Sequence, residues 1–198
     1  ETLLESELFG YRKGAFTGAD TDFRGRVQTS EGGTLFMDEI AEVPLGLQAK
    51  LLRLLEEKQF QPLGSTKTVS VHNRIICATN RDLPLLVEEG NFREDLFYRI
   101  NTINIHLPPL RERQEDIVPM AEHFLSRSAH DMDKVLHGFD DDVKEALRRY
   151  SWPGNVRELR NAVERAVVLS RAQELRVADL PNEIQSAIRS GANENAPR

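Results

Sequence analysis

The sequence predicts an α/β unit followed by a small all-helical unit. Three observations carry this. Short apolar runs that end in polar residues recur at 34–39, 74–80 and 103–108. Apolar residues at helical spacing lie between the first two of them. After residue 113 helical spacing is all that remains. The expected boundaries are 1–113 for the α/β unit and 114–185 for the helical unit, with a disordered tail at 186–198.

Composition narrows the classes further. Lys and Arg number 26 against 32 Asp and Glu, a net charge of −6, which argues against a generic DNA-coating protein. The single cysteine, Cys77, excludes an internal disulfide and fits a reducing, cytoplasmic compartment. No run of about 18 apolar residues is present, so no membrane partner is expected. Glu1 opens the chain inside a helical pattern, so the sequence reads as part of a longer frame.

The elements follow in order. Leu3, Leu4 and Leu8 set a first helix, and a glycine-punctuated stretch runs from Gly10 to Gly25. Gly32-Gly33 break the chain before Thr34–Met37, a short apolar run expected as a buried strand ending in Asp38-Glu39. Leu47, Leu51, Leu54 and Leu55 then share one face of an amphipathic helix over 45–58. The alternation at 68–72 is β-like, and Arg74–Thr79 predicts a second buried strand, ending at Asn80. Ile103, Ile105 and Leu107 alternate as a third strand, stopped by Pro108-Pro109. Three helices come next. One is marked by Ile117, Ala121, Phe124 and Leu125, with Pro119 tolerable only in its first turn. One starts at the aspartates 140–142 and is marked by Val143, Ala146 and Leu147. One is reached through Trp152-Pro153-Gly154-Asn155.

The chemistry lies at the ends of these runs. An apolar strand that delivers Asp38 and then Glu39 has the Walker B layout of P-loop ATPases. There the Asp holds Mg²⁺, usually through water, and the Glu polarises the attacking water. Asn80, at the tip of the next strand, is a neutral amide suited to sensing a γ-phosphate. Ligands in open α/β sheets bind beyond such strand ends. Arg93 and Arg99 stand six residues apart and could reach a phosphate held by a neighbouring subunit. The same stretch also reads as an ordinary helix with Arg–carboxylate pairs. Arg157 falls in a first helical turn, where the helix dipole favours anions, so the position suits a phosphate partner. Gly14-Ala15-Phe16-Thr17-Gly18-Ala19 brackets an aromatic between glycines, which suits a mobile tip touching a partner protein. Phe16 packing inward is the alternative.

Taken in order, these motifs resemble the AAA+ domain of bacterial enhancer-binding proteins, the sigma-54-dependent transcriptional activators. Gly32–Ile40, Leu47–Arg53, Ala78–Leu83, Leu107–Arg113 and Trp152–Leu159 continue the likeness, which spans about residues 1–170. The resemblance implies a P-loop AAA+ sheet lacking its first strands, followed by a helical lid. It implies an ATPase that uses ATP and Mg²⁺, forms a ring, typically hexameric, and remodels RNA polymerase carrying sigma-54. By resemblance, Asp38 and Glu39 are Walker B, with Asp38 at the metal, and Asn80 is the first sensor. Arg93 and Arg99 are finger candidates acting in trans, and Arg157 is the second sensor. Gly14, Ala15, Phe16, Thr17, Gly18 and Ala19 touch sigma-54.

Departures accompany the likeness. Tyr11 stands where the family often has His, Asp20 where a basic residue is more usual, and Val27-Gln28 replace Phe-Glu. No Gly-x-x-x-x-Gly-Lys-[Ser/Thr] occurs in the 198 residues. By family comparison the phosphate loop and the first two strands precede Glu1, and DNA would be contacted through a further domain. Three readings therefore stand: an ATPase acting on sigma-54 polymerase, a non-catalytic interaction fragment, and another AAA+ machine. The Gly-Ala-Phe-Thr-Gly-Ala loop speaks against the last.

Overall fold

Residues 2–186 are described by a computed structural model, in which the chain divides into two units, Glu1–Ile105 and His106–Arg198. The expected tail at 186–198 lies, Ser186 apart, outside the described residues.

In the first unit, α1 (Thr2–Phe9) buries Leu8 and Phe9, and the short α2 (Arg26–Thr29) buries Val27. Strand β1 (Thr34–Met37) leads to a 3₁₀ turn at Ile40–Glu42 and then to α3 (Leu45–Glu57). The expected leucine stripe is the buried face of α3, with Leu47, Leu51 and Leu54 at 1% exposure or less. Lys58 ends this helix in the left-handed conformation, its N–H reaching the Leu54 carbonyl at 3.1 Å. Next come β2 (Gln59–Phe60) and β3 (Val69–Ser70), an antiparallel pair, and β4 (Arg74–Cys77). Strand β4 returns alongside β1 in parallel, with Leu35 opposite Ile75 and Met37 opposite Cys77. Helices α4 (Leu83–Glu88) and α5 (Glu94–Ile100) complete the unit. Asp82 caps α4, its Oδ1 accepting from the Leu85 N–H at 3.2 Å.

Two strand expectations are corrected. Strands β1 and β4 are not buried on both faces, since Phe36 is 59% and Ile76 40% exposed. Residues 103–107 form no strand, and Ile103, Ile105 and Leu107 are each nearly four-fifths exposed. Alternation shows only what a segment can do beside a ladder partner. Among the described residues nothing pairs with it, so its backbone groups stay with solvent.

The second unit holds α6 (Gln114–Asp131), β5 (Gly138–Phe139), α7 (Asp141–Arg149), α8 (Asn155–Leu169) and β6 (Glu174–Leu175). The two-residue parallel pair β5–β6 adds to the helices expected there. Pro119 sits in the second turn of α6 rather than the first, within the helix. Asp140 caps α7, accepting from the Val143 N–H at 2.8 Å. Lys134 closes the other end of α8, where its ammonium donates to the carbonyls of Val167, Val168 and Ser170 at 2.7–3.2 Å. A cation at a helix C-terminus is favoured by the dipole as well as by these bonds.

The core of this unit centres on Trp152, fully buried among Leu147, Leu159, Val163 and neighbours. Its indole N–H donates to the Leu147 carbonyl at 2.8 Å, and its ring meets Tyr150 edge-on at 5.0 Å. Trp152→Ala removes the largest side chain of that core. It is expected to cost about 3–5 kcal/mol of stability, read as a lower urea midpoint by circular dichroism. An unchanged midpoint would contradict this account of the packing.

Candidate functional site: two parallel strand tips and an arginine helix

The ladder between β1 and β4 continues past the strand ends. The Ala78 N–H donates to the Met37 carbonyl at 2.8 Å, and the Ile40 N–H to the Ala78 carbonyl at 3.0 Å. Asp38-Glu39 and Asn80 therefore leave from the same end of two adjacent parallel strands. Glu39 occupies the left-handed region (φ 53°, ψ 45°), its own N–H donating to Asp38 Oδ1 at 3.1 Å. That conformation costs an L-residue about 1–2 kcal/mol. It turns the chain sharply and leaves the Glu39 carboxylate exposed at the tip. Arg81 braces the arrangement: its guanidinium pairs with Glu42 at 3.0 Å and its N–H with Thr79 Oγ1 at 3.0 Å.

Asp38, Glu39 and Asn80 are all exposed, and no side chain among the described residues bonds to the Glu39 carboxylate or the Asn80 amide. Two carboxylates and an amide beyond parallel strand ends fit a divalent cation bound through water and a phosphate beside it. Cys77, one residue deeper, is half-buried, and burial pushes its thiol up to about 11. It is a neutral group in the strand body rather than a nucleophile.

Arg93 and Arg99 both belong to the α5 region but are held differently. Arg93 is the residue before α5, on the surface. Its guanidinium makes a bidentate pair with Asp95 at 2.7 and 3.0 Å. These hydrogen bonds hold the Asp95 carboxyl below its ordinary range and raise Arg93. Arg99 reaches back to α3, donating to the Leu55 carbonyl at 3.0 Å. Neither arginine bonds to Asp38 or Glu39 among the described residues. Sequence reasoning missed Gln48, which is completely buried on α3. Its amide donates to the Val43 and Asn91 carbonyls at 2.8 and 3.3 Å and accepts from the Arg93 N–H at 2.8 Å. One signal could have found it: a polar side chain one residue after Leu47, at the edge of the leucine stripe.

The Gly14–Ala19 stretch caps a closed loop. Tyr11 and Phe23 exchange N–H···O bonds at 2.9 and 3.0 Å, and Arg12 pairs with Asp22. Gly10 (φ 77°) and Gly25 sit at its base, where a Cβ on Gly25 would lie 2.3 Å from the Gly10 nitrogen, so only glycine fits. Gly14 and Gly18 also have positive φ, but with open space around them. Phe16 is 38% exposed, its ring edge-on to Tyr11 at 5.0 Å. The tip is thus neither fully free nor folded into a core. Asp22 is held below the ordinary carboxylate range by the Lys13 N–H and by Arg12. Its contribution to loop closure is complete above the ordinary range. It is lost only as pH falls through the lower, folded value.

Arg157 lies in the first turn of α8, in the second unit. With Asn161 and Arg165, one and two turns on, it lines a cleft of about 540 Å³. The neighbouring Glu158 is engaged locally, accepting from the Gly154 N–H at 2.8 Å and the Tyr150 hydroxyl at 3.0 Å. Arg157 has no ion-pair partner among the described residues.

A parallel α/β unit with acidic and amide strand tips, joined to a helical unit, defines an AAA+ type of protein. The chain belongs to the sigma-54 interaction domain family, whose model matches residues 1–106, and an AAA+ ATPase lid domain matches residues 111–197. It is 50% identical over its full 198 residues to the regulatory protein AtoC of Escherichia coli K12, covering 43% of that protein. It is 52% identical over 180 residues to the Nif-specific regulatory protein of Azospirillum brasilense, covering 91% of this chain and 29% of that protein. NtrX from Brucella abortus, in a crystal structure in complex with ATP, superposes with a TM-score of 0.83 at 35% identity. That match covers all of this chain and 42% of NtrX. The chain thus spans less than half the length of these relatives. No helix among the described residues is long and apolar enough to cross a membrane.

Proposed function

We propose that these residues belong to the motor of a cytoplasmic transcriptional activator, one that hydrolyses Mg·ATP to remodel sigma-54 RNA polymerase. The observation that carries this reading is the placement of Asp38-Glu39 and Asn80, exposed, at the same end of two paired parallel strands. Asp38 would hold Mg²⁺ through water, and Glu39 would accept a proton from the attacking water that Asn80 helps to orient. The bound metal supplies charge neutralisation at the phosphates. Arg93 and Arg99 would meet the nucleotide of an adjoining protomer in a ring, probed below by subunit mixing. Arg157 would meet a phosphate from the lid. The loop at 14–19, with Phe16 and Thr17 at its centre, would grip sigma-54, and DNA would be held through a domain outside these residues. NtrX binding ATP in its crystal structure supports the nucleotide assignment.

The test is promoter opening by the full-length protein with sigma-54 polymerase. Open complexes are expected with ATP and not with a non-hydrolysable analogue. Equal opening with both would overturn the proposal. The lack of a phosphate-loop motif in the 198 residues favours a second reading for this segment taken alone, as a docking module. Calorimetry on residues 1–198 separates the two: micromolar or tighter Mg·ATP binding counts against the docking reading.

A further inference from the structure

We infer that Gln48 is the positioning residue of the α5 arginines, tying them to the helix that follows the acidic strand tip. The inference rests on the trans-acting role proposed above for Arg93 and Arg99. Gln48 is the one fully buried polar side chain of α3, at 0% exposure. All three of its hydrogen bonds go to backbone. Its nitrogen donates to Val43, the residue that closes the 3₁₀ turn after Glu39, and to Asn91. Its oxygen accepts from the N–H of Arg93, the N-cap of α5. One side chain thus fixes the backbone from which the Arg93 side chain leaves, while Phe92 and Leu96 on either side are buried at 2% and 0% exposure.

The far end of α5 is held by the same helix. Arg99 donates to the carbonyl of Leu55, two turns along α3 from Gln48. Helix α3 therefore clasps the arginine helix at both ends, and its own start is bonded to Val43, at the end of the 3₁₀ turn that follows Glu39. Without Gln48 the Arg93 N–H and two carbonyls lose their partner in a part-buried site, and the start of α5 is released to shift toward other partners. A finger acting across an interface tolerates such a shift poorly, because a displacement of about 1 Å in a positioning group can cost about 100-fold in rate.

The test uses full-length rings assembled from mixed subunits. Gln48→Met keeps the length of the side chain and removes its hydrogen bonds. Homogeneous Gln48→Met rings are expected to lose about 10- to 100-fold in kcat for ATP, with KM little changed. Mixed with Glu39→Ala subunits, which keep intact arginines, they are expected to recover hydrolysis, because Gln48→Met leaves its own acidic pair competent. Recovery only with Arg93→Ala or Arg99→Ala subunits would place the defect at the acidic turn and overturn the inference. No recovery in either mix, with rings intact by light scattering, would overturn it as well. Control mixes of Arg93→Ala and of Arg99→Ala with Glu39→Ala judge the premise separately. If neither recovers hydrolysis, the trans reading fails and the inference falls with it. If Gln48→Met does not assemble, Gln48→Glu carries the test. It keeps the oxygen that accepts from the Arg93 N–H and is expected to outperform the Arg93→Ala and Arg99→Ala rings. Turnover as low as theirs would overturn the inference.

Discussion

Glu39→Ala in the full-length protein is expected to bind ATP much as before and to hydrolyse it about 10²–10⁴-fold more slowly, the usual contribution of a general base. The structure explains why binding and turnover should separate. The carboxylate is exposed at the strand tip and supports no other side chain, so its removal leaves the braced turn of Arg81, Glu42 and Thr79 in place. Because position 39 is left-handed, Glu39→Gln is the better-matched companion, removing the charge while keeping the side chain's length. Steady-state turnover beside equilibrium nucleotide binding measures both. Normal turnover in either variant would remove Glu39 from the chemistry.

Phe16→Ala is expected to do the opposite, leaving ATP turnover intact and abolishing engagement of sigma-54. Buried aromatic anchors at interfaces are worth about 2–4 kcal/mol when truncated, a loss of roughly 30- to 1,000-fold in affinity. The loop closes on itself through Tyr11, Phe23, Arg12 and Asp22, and none of its hydrogen bonds reaches the strand tips. The chemistry should therefore not sense the change. Promoter opening and sigma-54 binding, measured beside ATPase activity, check the prediction. Unimpaired opening would count against the loop's role.

The two strands that carry the candidate site were legible in the sequence. Thr34–Met37 and the run expected at Arg74–Thr79 each combine a short apolar run with a polar terminus, and both form strands, the second ending at Cys77, with Asp38 and Asn80 at one end. The helix at 45–57 was equally clear, because four leucines at 3.6-residue spacing leave one solution. The failures have physical causes. Ile103–Leu107 has the alternation of a strand, but strand formation is decided by a neighbour, which alternation does not report. The β5–β6 pair is two residues long, below the length at which any period is visible. Gln48 was passed over because its one local hint, a polar side chain beside the leucine stripe, does not say what its amide touches 43 and 45 residues away.

The bare flank of the β1–β4 ribbon has a practical corollary. Among the described residues β1 and β4 pair only with each other, and their Phe36 and Ile76 side chains are exposed, the combination of open strand edge and apolar surface that drives intermolecular strand pairing. Such a surface is expected to favour self-association as concentration rises, which light scattering across a dilution series would reveal.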